Sequence, residues 1–268
     1  MLNFTARMVF CFEDIILFLL LKPINKITTY TLSMIYKFLP ILVFFVTSFS
    51  PIEKKGTDKT IIKKYSKPNT ELNLETIYAG LNANHFPLPK FESFTEALKG
   101  FYLLKEKGVI QKDILTLIDF SMSSNAKRLW VIDLKTNTIL YNTLVAHGRN
   151  TGEEFATFFS NASESNKSSL GFYSTGETYN GKHGMSMRLD GLEKGVNDHA
   201  RERGVVMHAA GYVSDSFIMN NKRLGRSQGC PAIPEALSKG VINTIKNKSC
   251  LFIYHPSRIS KVSSEPAS

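Results

Sequence analysis

The sequence predicts a mainly β protein: a sandwich or barrel-like body with an N-terminal helical cap and one C-terminal helix, or α+β if the cap is counted. Three observations predict it. Apolar residues between 71 and 120 recur mostly every three or four positions, whereas from Arg128 onward the apolar runs are short and rich in β-branched and aromatic residues. Glycines at 171, 176, 181, 184, 191, 195 and 204 punctuate these later segments as turns would. Only one later stretch, from about Pro234 to Lys246, returns to a helical pattern. There is no internal repeat.

Taken in order, residues 1–50 hold two apolar runs, Ile15 to Leu21 and Phe38 to Phe49. The second follows Lys37 and ends among small residues, the layout of a secretory signal or signal anchor, with Met34 as an alternative start. Each run is shorter than the roughly 20 apolar residues of a membrane span. Residues 51–70 are polar and lysine-rich and read as a solvated linker. Residues 71–120 form the helical cap: Leu72, Leu74, Ile77 and Leu81 mark one helix, and Phe94, Ala97, Leu98, Phe101 and Leu104 a second. The break between them runs from Asn82 to Pro89, and Gly108 ends the second.

The body occupies residues 121–258, and the polar tail 259–268 reads as disordered. Leu129–Leu134 and Thr138–Val145 flank Lys135-Thr136-Asn137 and form a β-hairpin. Gly148 to Ser169 is a long loop rich in Gly, Asn, Ser and Thr, and loops of that length in a compact body are often functional. After the C-terminal helix, Cys250-Leu251-Phe252-Ile253-Tyr254 is a core strand.

The 268 residues carry 33 Lys+Arg against 23 Asp+Glu, a formal net charge of +10. That excess suits an anionic partner such as a membrane surface, an acidic wall polymer or a nucleic acid. No nucleic-acid-binding module is recognisable and many lysines fall in the linker, so nucleic acid is set aside and an anionic envelope surface is retained. Of the three cysteines, Cys11 lies in the leader. Cys230 and Cys250 are either a disulfide pair of an exported protein or one working thiol and one buried spectator. The strand setting of Cys250 favours the spectator.

The chemistry concentrates in Val205-Val206-Met207-His208 and Arg226-Ser227-Gln228-Gly229-Cys230-Pro231. His208 closes a strand-like run, and Cys230 follows 22 positions later, a spacing suited to adjacent strands or loops. A nucleophilic thiol needs a base within hydrogen-bond reach and backbone N–H groups to hold an oxyanion. Gly229 permits close backbone approach, Pro231 stiffens the exit, and the nearby Arg223 and Arg226 are expected to favour thiolate over thiol.

The segment His208-Ala209-Ala210 … Ser227-Gln228-Gly229-Cys230 resembles the His-Gly-x … Ser/Thr-x-Gly-Cys signature of the L,D-transpeptidases that remodel bacterial peptidoglycan. The likeness spans roughly residues 115–255. It includes Trp130–Leu134, Ala146-His147-Gly148, Phe159-Ser160-Asn161, Ser169–Tyr173, Gly181–Gly184 and Leu189–Leu192, and is similar to the murein L,D-transpeptidase catalytic-domain branch. The resemblance implies that Cys230 is the nucleophile and His208 its general base, acting on peptidoglycan stem peptides. It implies an L,D-transpeptidase-like fold, an oxyanion held by amides around Gly229 and Cys230, and a Ser227 that lines the site and orders its loop. It calls for no cofactor. Two departures stand out. Pro231-Ala232 replace the apolar residue and arginine that usually follow the cysteine, so any carboxylate-binding role either moves to Arg226 or Arg223 or is absent; Ala209 replaces the usual glycine after the histidine. His183 and Tyr173 are further candidates for the cleft, and His147 ends a strand near the same site.

Three rivals frame this reading. A zinc peptidase could use His183 and Asp190 with His199 or His208 as third ligand, although Val206-Met207 stand where an acidic residue usually precedes the final histidine. Ser124-Asn125-Ala126-Lys127 matches a Ser-x-x-Lys serine enzyme but has no Lys-Thr-Gly partner after it. The third is a non-catalytic, membrane-anchored wall-binding protein.

Overall fold

The computed structural model describes residues 71–258, His183 excepted. The expectations for the leader, the linker and the tail fall on residues 1–70 and 259–268, outside the described residues. No helix among the described residues is long and apolar enough to cross a membrane.

Two helices come first, α1 (Glu71–Ala79) and α2 (Phe91–Glu106). Strands β1 (Ile114–Asp119), β2 (Leu129–Asp133), β3 (Thr138–Thr143), β4 (Gly171–Gly181), β5 (Gly184–Gly191) and β6 (Val206–Ala209) follow. Helix α3 (Asp215–Asn221) separates β6 from β7 (Ala232–Ile233), and α4 (Glu235–Ile245) separates β7 from β8 (Cys250–Tyr254). The architecture is mainly β, as expected.

The strands form one sheet in the order β3-β2-β1-β8-β4-β5-β6-β7. The β1–β8 and β6–β7 pairs are parallel and the rest antiparallel. Ala146 N–H donates to the carbonyl of Ala232 at 2.8 Å, so the chain leaving β3 meets β7 at the opposite edge and the sheet nearly closes on itself.

Both faces of the sheet's middle are buried. Leu129, Val131, Leu251 and Ile253 enter one core with Val241, Ile242 and Ile245 of α4. Their strand neighbours Trp130, Ile132, Cys250 and Phe252 enter a second, with Phe94, Ala97, Leu98 and Phe101 of α2. This explains why β2 and β8 read as continuous apolar runs instead of alternating ones. Each large apolar side chain buried there contributes about 1.5–3 kcal/mol. Trp130 Nε1–H donates to Pro87 O at 2.7 Å, and Arg258 pairs with Glu96 of α2 and with Glu193, tying cap to sheet.

Two expectations are revised. The second helix stops at Glu106, next to the expected end at Gly108, but the element after it, Ile114–Asp119, drawn into the helical cap of 71–120, is a central strand with parallel β8 beside it. Its run Ile-Leu-Thr-Leu-Ile is compatible with either period, and burial on both faces decides for strand. Helix α3 was not expected. Its seven residues are too few to show a period, and it stands on its cap, with Ser214 Oγ accepting from Phe217 N–H at 3.3 Å.

Candidate active site

Strand β6 carries His208 and β7 begins two residues after Cys230, so their pairing brings the two segments together. The register sets His208 opposite Ala232. Counting back two on each strand puts Val206 beside Cys230, and Val206 N–H donates to the Cys230 Sγ at 3.4 Å. His208 is buried, 5% exposed, and its Nδ1 lies 2.8 Å from the carbonyl of its neighbour Ala209. A carbonyl only accepts, so Nδ1 carries the proton and Nε2 is the basic nitrogen of the neutral ring.

The turn before the cysteine is built by its own small residues. Ser227 Oγ donates to Cys230 O at 2.6 Å and accepts from Gly229 N–H at 3.0 Å. Gly229 has φ +126°, and a Cβ there would stand 2.9 Å from Lys167 O. Only glycine meets both conditions without strain. The long loop 148–169 is sewn to this turn. Ser168 Oγ donates to Gly229 O at 3.0 Å and accepts from Gly148 N–H at 3.1 Å, while Ser227 N–H donates to His147 O. At Gly148 a Cβ would come within 2.9 Å of Gly229 Cα, so the two backbones approach through paired glycines.

Burial pushes the Cys230 thiol upward, opposed by the Val206 N–H and by the charge of Arg203. The arginines expected to favour thiolate do not supply that charge. Arg223 and Arg226 both pair with Glu153, at 2.9 and 2.6 Å, and Arg226 also donates to Gly152 O and Arg149 O. A cleft of about 470 Å³, lined by Glu164, Asn166, Arg203, Gly204, Val205 and Gln228, opens onto Cys230.

The remaining candidates fall elsewhere. Tyr173 is fully buried in the core; burial pushes its phenol up to about 12, and its OH donates to Ser169 O at 3.0 Å. It supports the end of the long loop from beneath. His183 lies outside the described residues. Asp190 holds Arg201. It stands four residues along β5 from Ser186, the partner of His208, which is roughly 13 Å of strand. Those two side chains do not share one ion. His147 is buried, its Nδ1 accepting from Arg128 at 2.8 Å and its Nε2 facing Gly152 O. Ser124 is buried while Lys127 is exposed, so that pair builds no site. Cys250 is a free, fully buried thiol in β8, and Cys230 is free as well; the spectator reading of Cys250 holds.

Sequence reasoning missed Arg203 and Ser168. Nothing in a polar turn or a serine-rich loop marks either one. Only the folded approach of loop 148–169 and of the turn before β6 to Gly229 singles them out.

A profile of the L,D-transpeptidase catalytic domain matches residues 88–254. No curated protein matches. Among solved structures the chain is similar to an L,D-transpeptidase from Mycobacterium smegmatis at 10% identity, covering 53% of this chain and 59% of that one, with a TM-score of 0.34. It is similar to L,D-transpeptidase 3 from Mycobacterium tuberculosis at 9% identity, covering 53% and 61%, with a TM-score of 0.35. It is also similar to the helical cell shape determining protein Pgp2 from Campylobacter jejuni at 13% identity, covering 57% and 54%, with a TM-score of 0.34. The chain spans less than two thirds of each of these structures.

Proposed function

Because this chain belongs to the L,D-transpeptidase catalytic-domain family, we propose that it is an exported enzyme that modifies peptidoglycan through a thioester on Cys230. The observation that carries the reading is the β6–β7 register, which sets Cys230 two residues before the strand partner of His208, with a backbone N–H of β6 already on the sulfur.

In this mechanism His208 Nε2 takes the Cys230 proton, and the thiolate attacks the carbonyl between the L-centre of a diamino acid and the terminal D-alanine of a stem tetrapeptide. The negative charge passes to the carbonyl oxygen. Gly229 N–H is committed to Ser227 Oγ, so we assign the oxyanion to the amide of Cys230 itself. The C–N bond then breaks and the imidazolium returns its proton to the leaving amine of D-alanine. An amine of a second stem attacks the thioester to give a 3→3 cross-link, or water attacks to release the tripeptide. Ser227 holds the cysteine's turn through both steps by its bond to Cys230 O. Arg226, committed to Glu153, is given no contact with the reacting bond. An anionic envelope surface is the partner that the net charge of +10 favours.

The test supplies purified full-length protein with muropeptides and follows loss of terminal D-alanine, 3→3 dimers and a mass adduct on Cys230 by mass spectrometry. Cys230→Ala abolishes turnover and a chelator leaves it intact. Full turnover by the alanine variant sinks the thiol mechanism. Loss with chelator points to a metal peptidase, and no turnover or adduct at all points to a non-catalytic wall-binding protein.

A further inference from the structure

Arg203 sits in the turn just before β6, half-buried, with its Nη2 3.5 Å from where a Cβ on Gly229 would stand. Four hydrogen bonds hold it. Nη1 donates to Ser160 O and Ser169 Oγ, each at 3.0 Å, and Nη2 donates to Lys167 O at 2.8 Å and to Ser165 Oγ at 3.3 Å. Every one of those acceptors is neutral. By contrast Arg188, Arg201, Arg223, Arg226 and Arg258 each hold a carboxylate. A half-buried guanidinium bound only to neutral groups keeps its charge available to whatever anion forms beside it. Besides the Glu164 carboxylate, the group lining that cleft that can become an anion is the thiol after Gly229.

We propose that Arg203 is a positioning residue that clamps loop 160–169 against Gly229 and supplies the positive charge beside which the Cys230 thiolate forms. The other groups around the thiol do not compete for this role. Glu164 lines the cleft with the opposite charge; Tyr212 contributes a phenol pushed up to about 12 by burial; His208 donates its Nδ1–H to Ala209 O and becomes a cation only once it has taken the thiol proton; the Lys167 ammonium lies over the Phe158 ring. The clamp and the charge work together, because the four bonds that fix the loop also fix the guanidinium at the sulfur's side of the cleft.

The inference rests on Cys230 as the reacting thiol, and its test needs no peptidoglycan turnover. Iodoacetamide alkylation of the Cys230 peptide is followed by mass spectrometry across pH in the full-length protein, with folding checked by circular dichroism. Arg203→Gln keeps an amide for the carbonyl acceptors and removes the charge. The inflection rises by about one pH unit, a roughly tenfold slower alkylation below it. Arg203→Lys restores most of the shift. Ser169→Ala removes one clamp bond, keeps the charge and leaves the inflection in place. An unchanged inflection in Arg203→Gln overturns the proposal, as does an equal shift in Ser169→Ala. The unmodified protein gives a reading independent of substitution: 1 M salt shortens the screening length to about 3 Å and raises the inflection, whereas indifference to salt counts against a counter-charge. A protein that shows the shift but turns over no muropeptide keeps this inference and loses the functional one.

Discussion

Cys250 and Cys230 are both thiols of the one sheet, yet they live in opposite conditions. Cys250 lies in β8, between β1 and β4, fully buried, and burial alone pushes its thiol up. Cys230 lies two residues before the sheet's last, two-residue strand, where a glycine turn and a cleft meet. Burial raises it too, but a backbone N–H and an arginine oppose that. The two histidines repeat the contrast. His147 is enclosed by Arg128 and Gly152 O, and burial with the Arg128 charge lowers its pKa to about 4. His208 gives its Nδ1 to one carbonyl and keeps a basic nitrogen. Chemistry here belongs to the turn before the two-residue strand β7, where a cleft reaches the thiol. The middle is built to stay shut.

The largest effect that tests this contrast is on turnover. His208→Gln keeps a side chain able to donate to Ala209 O but removes the base, and kcat falls by about 10²–10⁴. His147→Gln leaves kcat within a few-fold in protein that remains folded. Muropeptide release measured side by side decides; equal losses in both variants would erase the distinction between the edge and the interior.

Much of this was legible beforehand because it is local. The hairpin at Lys135-Thr136-Asn137, helix α4 and strand β8 each announce themselves in a dozen residues, and the Cys/His pair in two short segments. What was not legible depends on approach between distant segments. Arg226 looked like the cation for the thiol because it is four residues away in sequence, but Glu153 claims it. Arg203, which is 27 positions before Cys230, reaches the cleft instead. Tyr173 looked like a cleft residue because it stands in a family-like block, but strand alternation turns it into the core. Likewise Arg128 gave no sign that it would be buried whole, packed over Phe120 and bonded to His147.

Next in size is a pH effect on stability. His147 has a pKa of about 4 in the folded protein against 6.5 for the free side chain. Between those values the unfolded chain binds a proton that the folded one refuses, so stability falls as pH drops from about 6.5 to about 4 and levels off below. The loss is on the order of 3 kcal/mol. Urea midpoints across that range measure it. His147→Gln flattens this part of the profile, and a profile equally steep in the variant assigns the loss to other groups.

The smallest effect probes the buried thiol. Removing one sulfur atom from the packed cluster of Leu115, Phe252 and Trp130 by Cys250→Ala costs about 1 kcal/mol, as comparable one-atom core deletions do. For a body of this size that lowers Tm by about 2–4 °C. Since Cys250 makes no contact with the cleft and holds no disulfide, turnover and the rate of Cys230 alkylation stay as they were. In the folded wild-type protein iodoacetamide labels Cys230 and spares Cys250 until denaturant is added. A Cys250→Ala variant that loses Cys230 reactivity while keeping its Tm would mean that the sheet's interior and its edge are coupled through more than packing, and the separation of roles drawn from the two thiols would fail at its simplest point.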